Sequence, residues 1–351
     1  MYNKYDRNDK KLRLNRDLQI AIAEYAPGSE VIANGKIYRS QYVKMPYYKK
    51  SEALEEYDYG ICKNKECRNM VTIRHINNNK NEKMKNCSIC GSEFEKCGTF
   101  IIPKYGFISA SCEEASTRKP EKTYKTDIYY TDNNIDKEYT INKEHNINGN
   151  IIKVRAKKNG EMSIVNTSDF CFCPICGYTV KLKNKKDFKE HKNIYGRECT
   201  CDTPRIITFG HKYKTDVACI EIEKDINYEK ALSILYDLLE GVSKYYNIKR
   251  EDISGCINYY INYGKKCLEF VLFDTVPGGA GHITRLANAD TNEFIEMLKS
   301  ALSVVEKCIC GGKEGDCACY SCLCNYYNQK YHDILKRKYA IDFLNKILYN
   351  K

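Results

Sequence analysis

Tryptophan is absent from the 351 residues, and so is any apolar run long enough to cross a bilayer as a helix, which takes about 20 consecutive apolar residues. The opening stretch "MYNKYDRNDKKLRLNRD" is polar and charged and lacks the apolar h-region of a secretory leader. No membrane partner is therefore expected, and a reducing cytoplasm is the expected compartment. No G-x-x-x-x-G-K-[ST] phosphate loop occurs, nor an acidic box to follow one, which excludes ATP hydrolysis by that route from these residues. Without tryptophan, thirty tyrosines carry much of the aromatic packing. Where they interleave with lysine, as in "QYVKMPYYKK" (41–50), they suit either stacking on single-stranded bases or plain core use.

What the chain has in abundance is cysteine: twenty of them. A chain of this length can form two or three domains and bury a core without disulfide staples. In a reducing compartment, clustered cysteines are more often metal ligands than disulfides. The formal net charge is +11, from 57 basic and 46 acidic residues. Three four-cysteine zinc sites, each four thiolates around one Zn²⁺, would lower it to roughly +5. Basic excess is concentrated in residues 1–50, with eleven Lys/Arg against five Asp/Glu, and in 141–200, with twelve against six. These are either solvated lysines or a surface that faces nucleic acid.

Periodicity predicts a mixed α+β and α/β chain in three parts. Residues 1–56 form an N-terminal segment with a helix around "LQIAIAEY" and a hairpin in "EVIANGKIY" about Asn34-Gly35. Residues 57–204 are β-rich and hold two zinc-ribbon-like cysteine modules. "TFIIPKYGFISA" (99–110) reads as a strand interrupted by Pro103 and Gly106, and alternating stretches in 120–168 as an antiparallel sheet. Residues 205–351 form a zinc-binding domain. There "KTDVACIEIE" (214–223) and "KCLEFVLFDT" (266–275) flank a helix at 227–246 with Leu232, Leu235, Leu239 and Val242 at helical spacing, a βαβ-like pattern. A second helix covers 291–306, with Asp290 and Glu293 as a capping box, and a last one 326–350.

The first cysteine module pairs Cys62 and Cys67 with Cys87 and Cys90, a C-x4-C and a C-x2-C separated by nineteen residues. Two tight pairs on separate loops converge into a tetrahedral S₄ cage, which zinc accepts and iron–sulfur clusters also use. Gly91 after the second pair lets the knuckle turn its amides toward sulfur. Cys97 and Cys112 are spare. In the second module Cys173 and Cys176 make the knuckle, and Cys199 with Cys201 closes the set, with His191 or Cys171 as substitutes. The third packs Cys308, Cys310, Cys317, Cys319, Cys322 and Cys324 into seventeen residues, and spacing alone prefers no set of four. A redox pair at Cys319 and Cys322 is disfavoured, because thioredoxin-type motifs lack cysteines on both sides.

The stretch "CACYSCLCNYYNQKYHDILKR" resembles the cysteine-rich signature of the DUF1998 family, the zinc-binding domain at the C-terminus of many bacterial superfamily 2 helicases, including repair helicases of the MrfA type. "FDTVPGGAGHITRL" (273–286) is similar to the family's second signature and "GHKYKTDV" (210–217) to the strand that precedes it. "AIAEYAPGSEVIANGKIYRS" (21–40) resembles the segment after the helicase core in such proteins and in the helper subunit of DISARM-type anti-phage systems. The resemblance implies that Cys308, Cys310, Cys319 and Cys322 are the C-terminal ligands, with Cys317 and Cys324 as extras. It implies a structural zinc knot anchoring the final helix, about three zinc ions in all, and an accessory part of a helicase without its motor. Its partners would be a superfamily 2 helicase subunit and DNA, in anti-phage defence or DNA repair.

The glycine-rich turn "FDTVPGGAGH" offers Gly278, Gly279, Gly281 and His282 as a contact for an anion or DNA phosphate. The competing reading is that these glycines supply positive φ and close strand-to-helix packing. An Asp274–His282 acid/base pair has no nucleophile or open metal position beside it, so the chain reads as non-catalytic, with a hydrolase at this loop as the weaker alternative. A stand-alone DNA-binding zinc protein is the other alternative.

Overall fold

The computed structural model describes residues 2–3, 14–46, 54–65, 67–74, 86–115, 125–131, 139–222, 226–262 and 265–350. The Tyr47-Tyr48-Lys49-Lys50 end of the tyrosine–lysine stretch lies outside them.

The N-terminal part follows the expected local chemistry. Leu18–Glu24 is a helix (α1), buried through Ala21 and Ile22. Glu30–Ala33 and Lys36–Val43 pair as a hairpin across Asn34 and Gly35, both at positive φ as a tight two-residue turn demands. With Tyr2–Asn3 numbered β1, these strands are β2 and β3. They form a four-stranded sheet in the order β1-β7-β3-β2, where β7 is Phe107–Glu114. Glu56–Cys62 (β4), Met70–Arg74 (β5) and Phe94–Ile101 (β6) form an antiparallel set. Between β6 and β7 lies the break expected at Pro103 and Gly106.

A second, eleven-stranded sheet is organised by one long strand. Thr126–Tyr130 (β8), Ile141–Ile147 (β9), Asn150–Asn166 (β10), Phe170–Phe172 (β11) and Thr179–Lys181 (β12) lead to Arg205–Ile222 (β13). Along its eighteen residues β13 pairs in turn with β11, in parallel with β6, and with β10 from Gly210 to Ile222. The register of β10 shifts between Lys157 and Gly160, where Asn159 has φ 59°. A Cβ on Gly160 would lie 2.6 Å from a methyl of Val217, so the bulge needs glycine there.

Beyond β13, the chain adds α2 (Tyr228–Tyr246), then Ile253–Asn262 (β14) and Lys265–Asp274 (β15), which pair as a hairpin. β15 runs antiparallel to β13, so the βαβ-like spacing resolves into a strand, a helix and a hairpin rather than a parallel crossover. The difference comes from β14, whose "ISGCINYYIN" supplies the extra pass across the sheet. Alternate side chains then fill two cores. Ala218, Ile220, Phe270 and Leu272 face the helices, while Val217, Cys219, Val271 and Phe273 face inward with Met162, Ile164 and Tyr130. A strand buried on both faces reads as a continuous apolar run, as "EFVLF" does.

His282–Asn288 (α3) and Thr291–Lys307 (α4) follow, and α4 is capped where expected, with the Asp290 carboxylate accepting the Glu293 amide at 2.8 Å. α2 meets α4 at Gly241, where a Cβ would come within 2.5 Å of the Ala301 side chain. The final helix predicted over 326–350 is instead a 3-10 turn at Tyr326–Tyr331 and a separate helix α5 at Arg337–Tyr349. The break has a cause: the Lys336 amide bonds to Ser233 Oγ, and the first amides of α5 donate to the carbonyls of Cys317 and Gly315. The chain must turn to deliver them.

One buried charge group sits on the inward face. Arg155 of β10 reaches both Glu221 of β13 and Glu269 of β15, with Tyr260 donating to Glu221 and Asn258 to Glu269 at 3.0 Å. Burial raises the pKa of Glu269, an effect that Arg155 opposes. Replacing Arg155 by Met leaves two buried carboxylates facing each other, with an expected cost of about 3–5 kcal/mol. Glu269 then holds its proton more tightly folded than unfolded, so stability must fall as pH rises through the carboxylate range. Urea unfolding of the variant at pH 5 and pH 8 checks the sign; an equal loss at both would contradict it.

Candidate metal centres

Three groups of side chains each bring four ligand atoms within 4.8 Å of one another: Cys62, Cys67, Cys87 and Cys90; Cys173, Cys176, His191 and Cys199; and Cys308, Cys310, Cys319 and Cys322. A tetrahedron with Zn–S bonds of about 2.3 Å has S···S edges of about 3.8 Å. Observed edges are 3.3 Å for Cys62–Cys90, 3.8 Å for Cys67–Cys87, 3.7 Å for Cys173–Cys199, and 3.4, 3.5 and 3.7 Å in the third group. Disulfides, at about 2.05 Å, are excluded at these contacts. The donor chemistry and spacing fit zinc at all three.

The first group hangs between the end of β4 and a turn before β6. Gly91 adopts φ 73° and its amide closes the turn on the Cys87 carbonyl, while the Ile89 amide points at Cys87 Sγ at 3.4 Å. Burial raises the Cys90 thiol, but hydrogen bonds from Ser92, Cys62 and Cys67 outweigh it and hold the pKa down at about 6, whereas burial pushes Cys62 up to about 11. The Cys90 thiolate is thus favoured before metal arrives, whereas Cys62 and Cys67, raised by burial, ionise only against the cation. Arg68, one residue past Cys67, lies over the Tyr228 ring at 5.3 Å and pairs with Asp127 at 3.7 Å. It ties this group to α2. Cys97 is exposed and stays outside the set, as does Cys112.

In the second group the structure differs from the expected ligand set. Its knuckle is as anticipated, with Gly177 at φ 77° and the Cys176 amide 3.4 Å from Cys173 Sγ. The fourth position, however, is taken by His191 rather than Cys201. Cys201 stays beside the group but turns its thiol to the Thr203 carbonyl at 3.4 Å. His191 donates from Nδ1 to the Phe188 carbonyl at 2.8 Å, and its Nε2 is buried with no hydrogen-bond partner. The ring is held between Tyr178 and Phe188, with centroids 4.8 and 4.4 Å away. A donating Nδ1–H that fixes the tautomer and leaves Nε2 free is the usual arrangement of a zinc-binding imidazole. Cys171 is fully buried and outside the group.

The third group selects Cys308, Cys310, Cys319 and Cys322, leaving Cys317 exposed and Cys324 buried outside it. Amides of Cys319 and Ser321 point at Cys322 and Cys319 sulfurs at 3.3 and 3.4 Å. The cage sits directly after α4 and before the 3-10 turn. Residues 234–323 match the MrfA Zn-binding domain. Over a 365-residue alignment the chain is 26% identical to Druantia protein DruE of Escherichia coli (strain UMEA 4076-1), which covers 94% of this chain and 19% of that protein. It also aligns with a solved structure, that of the DUF1998 helicase MrfA bound to DNA, at 13% identity and a TM-score of 0.37, over 71% of this chain and 28% of that one. The chain thus spans about a fifth of its Druantia relative's length.

The segment that matches the MrfA Zn-binding domain is closed from outside its matched residues by Arg337. This buried guanidinium donates to the carbonyls of Cys310 (2.7 Å), Val305 (3.3 Å) and Gly312. It caps the last turn of α4 and lies against a thiolate cage whose net charge with zinc is −2, which supplies the counter-charge. Asn328 is buried too, closing a capping box with Asn325 and accepting from His332, whose role here is structural. These contacts give Asn328 and Arg337 of the stretch "CACYSCLCNYYNQKYHDILKR" structural roles.

The domain's glycine turn has its amides already engaged. The Asp274 carboxylate, wholly buried, accepts from Ala280 N at 2.6 Å, His282 N at 3.2 Å and Ile283 N at 3.1 Å. An internal carboxylate therefore occupies the cradle in which an external anion was considered, and Asp274 faces His282 through its backbone amide. Gly278, Gly279 and Gly281 have φ of 91°, 80° and 79°, and a Cβ on Gly279 would collide with the Asp216 carboxylate at 2.5 Å. Asp216 also accepts from Thr284, and Thr215 bonds the carbonyls of Asp274 and Val276. The Thr-Asp and glycine signatures are two halves of one strand-to-helix joint.

Elemental analysis is expected to find about three zinc per chain, and Cys62→Ser, Cys176→Ser or Cys319→Ser about one fewer; a content of two in the unaltered chain would remove one cage. Arg337→Ala should cost about 1–3 kcal/mol, since it strands the buried Val305 carbonyl and removes the bonds to Cys310 and Gly312. Arg337→Lys should recover little of this, because an ammonium cannot span three acceptors as the fork does. Thermal unfolding with zinc-release assays reads both effects, and full recovery by Lys would contradict the role given to the guanidinium.

Proposed function

We propose that the chain is a non-catalytic, zinc-binding accessory module of a superfamily 2 DNA helicase, helping the motor engage DNA in anti-phage defence or DNA repair within the cytoplasm. The observation that carries this reading is the MrfA Zn-binding domain at residues 234–323, found in a sequence with no phosphate loop. The motor is then supplied from outside this sequence. The likeness to Druantia protein DruE, which extends over most of this chain, supports the same reading. No described helix is long and apolar enough to cross a membrane.

The zinc cages are structural in this reading. In the first and third groups all four positions are protein sulfurs, and in the second three sulfurs and an imidazole, so none keeps the open coordination position that a catalytic zinc needs. A hydrolase centred on the glycine turn is disfavoured by the burial of Asp274 and its three amide bonds. A DNA-binding protein acting without a motor is the second reading, favoured by the net positive charge of the second module, with seven basic and two acidic residues between 181 and 197.

Co-purification of this chain with the helicase motor encoded beside it, followed by ATPase assays with and without DNA, tests the proposal. The expected result is a stoichiometric complex whose DNA-stimulated turnover falls several-fold when this chain is left out. A chain that purifies alone and leaves turnover unchanged would overturn it.

A further inference from the structure

The second and third metal modules differ in charge. Between residues 181 and 197 the second module carries seven basic residues and two acidic ones. Three thiolates and a neutral imidazole around Zn²⁺ contribute about −1, leaving this surface at roughly +4. Residues 306–338 around the third cage carry six basic and four acidic residues. Four thiolates and Zn²⁺ contribute about −2 there, so that module is near neutral. A polyanion is attracted to the first of these surfaces and not to the second.

Six cations of the second module, Lys183, Lys185, Lys186, Lys189, Lys192 and Arg197, are exposed and outside the ion pairs formed among the described residues. Some lysines elsewhere on the chain are already paired: Lys96, Lys104, Lys212, Lys299 and Lys330 each meet a carboxylate. Unpaired ammonium groups give up little on meeting phosphate, because no internal partner has to be released. Tyr195, 60% exposed, stands in the same turn as Arg197.

The metal ligand and the cations share one backbone segment. Lys183, Lys185 and Lys186 lie on the 3-10 helix Leu182–Phe188, whose closing carbonyl, that of Phe188, accepts from His191 Nδ1. Tyr178 bonds the Asp187 carbonyl at 3.2 Å and Tyr42 the Lys192 carbonyl at 2.9 Å. With zinc on His191 Nε2, the imidazole is pinned at both nitrogens, and the row of cations is held against the β11–β12 hairpin.

We propose that the second zinc module is the surface by which this chain grips the DNA phosphate backbone, with Lys183, Lys185, Lys186, Lys189, Lys192 and Arg197 as the contacts and the zinc-bound His191 setting their spacing. The proposal rests on the DNA-engagement part of the function above and places it at a site outside the MrfA Zn-binding domain.

The test is fluorescence anisotropy of a labelled DNA duplex with the purified zinc-loaded chain across a salt series. Replacing the six cations by Gln should weaken binding at least tenfold at 0.1 M salt. The slope of log K against log salt should fall by about 0.9 for each phosphate no longer neutralised. Zinc content should stay unchanged, and Lys307→Gln with Lys313→Gln and Lys338→Gln on the third module should alter affinity less than threefold. His191→Ala should lose one zinc and weaken binding although every lysine remains, and His191→Cys should restore both. If the unaltered chain binds no DNA, the DNA-engagement reading itself fails. If it binds and the six-fold variant keeps the same affinity and slope, DNA engagement stands and this surface is wrong. Retained DNA binding with loss of the helicase complex would overturn the assignment in favour of an acidic protein partner.

Discussion

Strand β13 is the member on which the other parts are hung. Its first residues pair with the hairpin that holds the second metal group, its next two with β6 of the first group's sheet, and the remainder with β10 and β15. Backbone hydrogen bonds must be made by any buried strand, and here one strand satisfies its own by recruiting four others. The alternation of side chains along it then divides the interior in two. Ala218 and Ile220 pack on the helices, and Val217 and Cys219 on the inward face. A shift of one residue would exchange these sets, and the bulge at Asn159-Gly160 pins the register where β10 crosses.

Metal binding supplies what the smaller modules cannot bury. The cluster around the first group consists of Cys62, Cys67 and Cys87, with Ile89, Cys90 and Phe94 packed against it. So small a core cannot offset the cost of ordering its loops, and the cation must contribute the difference. The third group is different, because it is inserted between α4 and α5 of a large core and is braced by Arg337. There the metal joins helices that already pack well. Loss of zinc should therefore unravel the first two modules locally but shift helix geometry at the third.

The functional reading follows from this division of labour. Four protein ligands per cage leave no open position for substrate, and the glycine turn is filled by Asp274, which is why the proposed function gives these residues structural roles. Of the two modules compared, the one with a net positive charge is the second, and the near-neutral third exposes Ile309, Tyr320 and Tyr327 instead, a composition more suited to protein than to phosphate.

Cysteine spacing, tight turns and helical periodicity were legible in the sequence because each depends on residues within a few positions of one another. The C-x2-C knuckles with their following glycines, the Asn34-Gly35 hairpin and the Leu232–Val242 stripe of α2 are of this kind. Tertiary structure decided what depends on distance in space. It chose His191 over Cys201, because ring orientation is set by Phe188 and Tyr178 and not by spacing. It ran β15 antiparallel to β13, because β14 intervenes, and it broke the last helix to deliver the α5 amides to the zinc loop. It also turned the amides of the glycine loop onto Asp274, which the sequence offers only as an acid/base partner of His282.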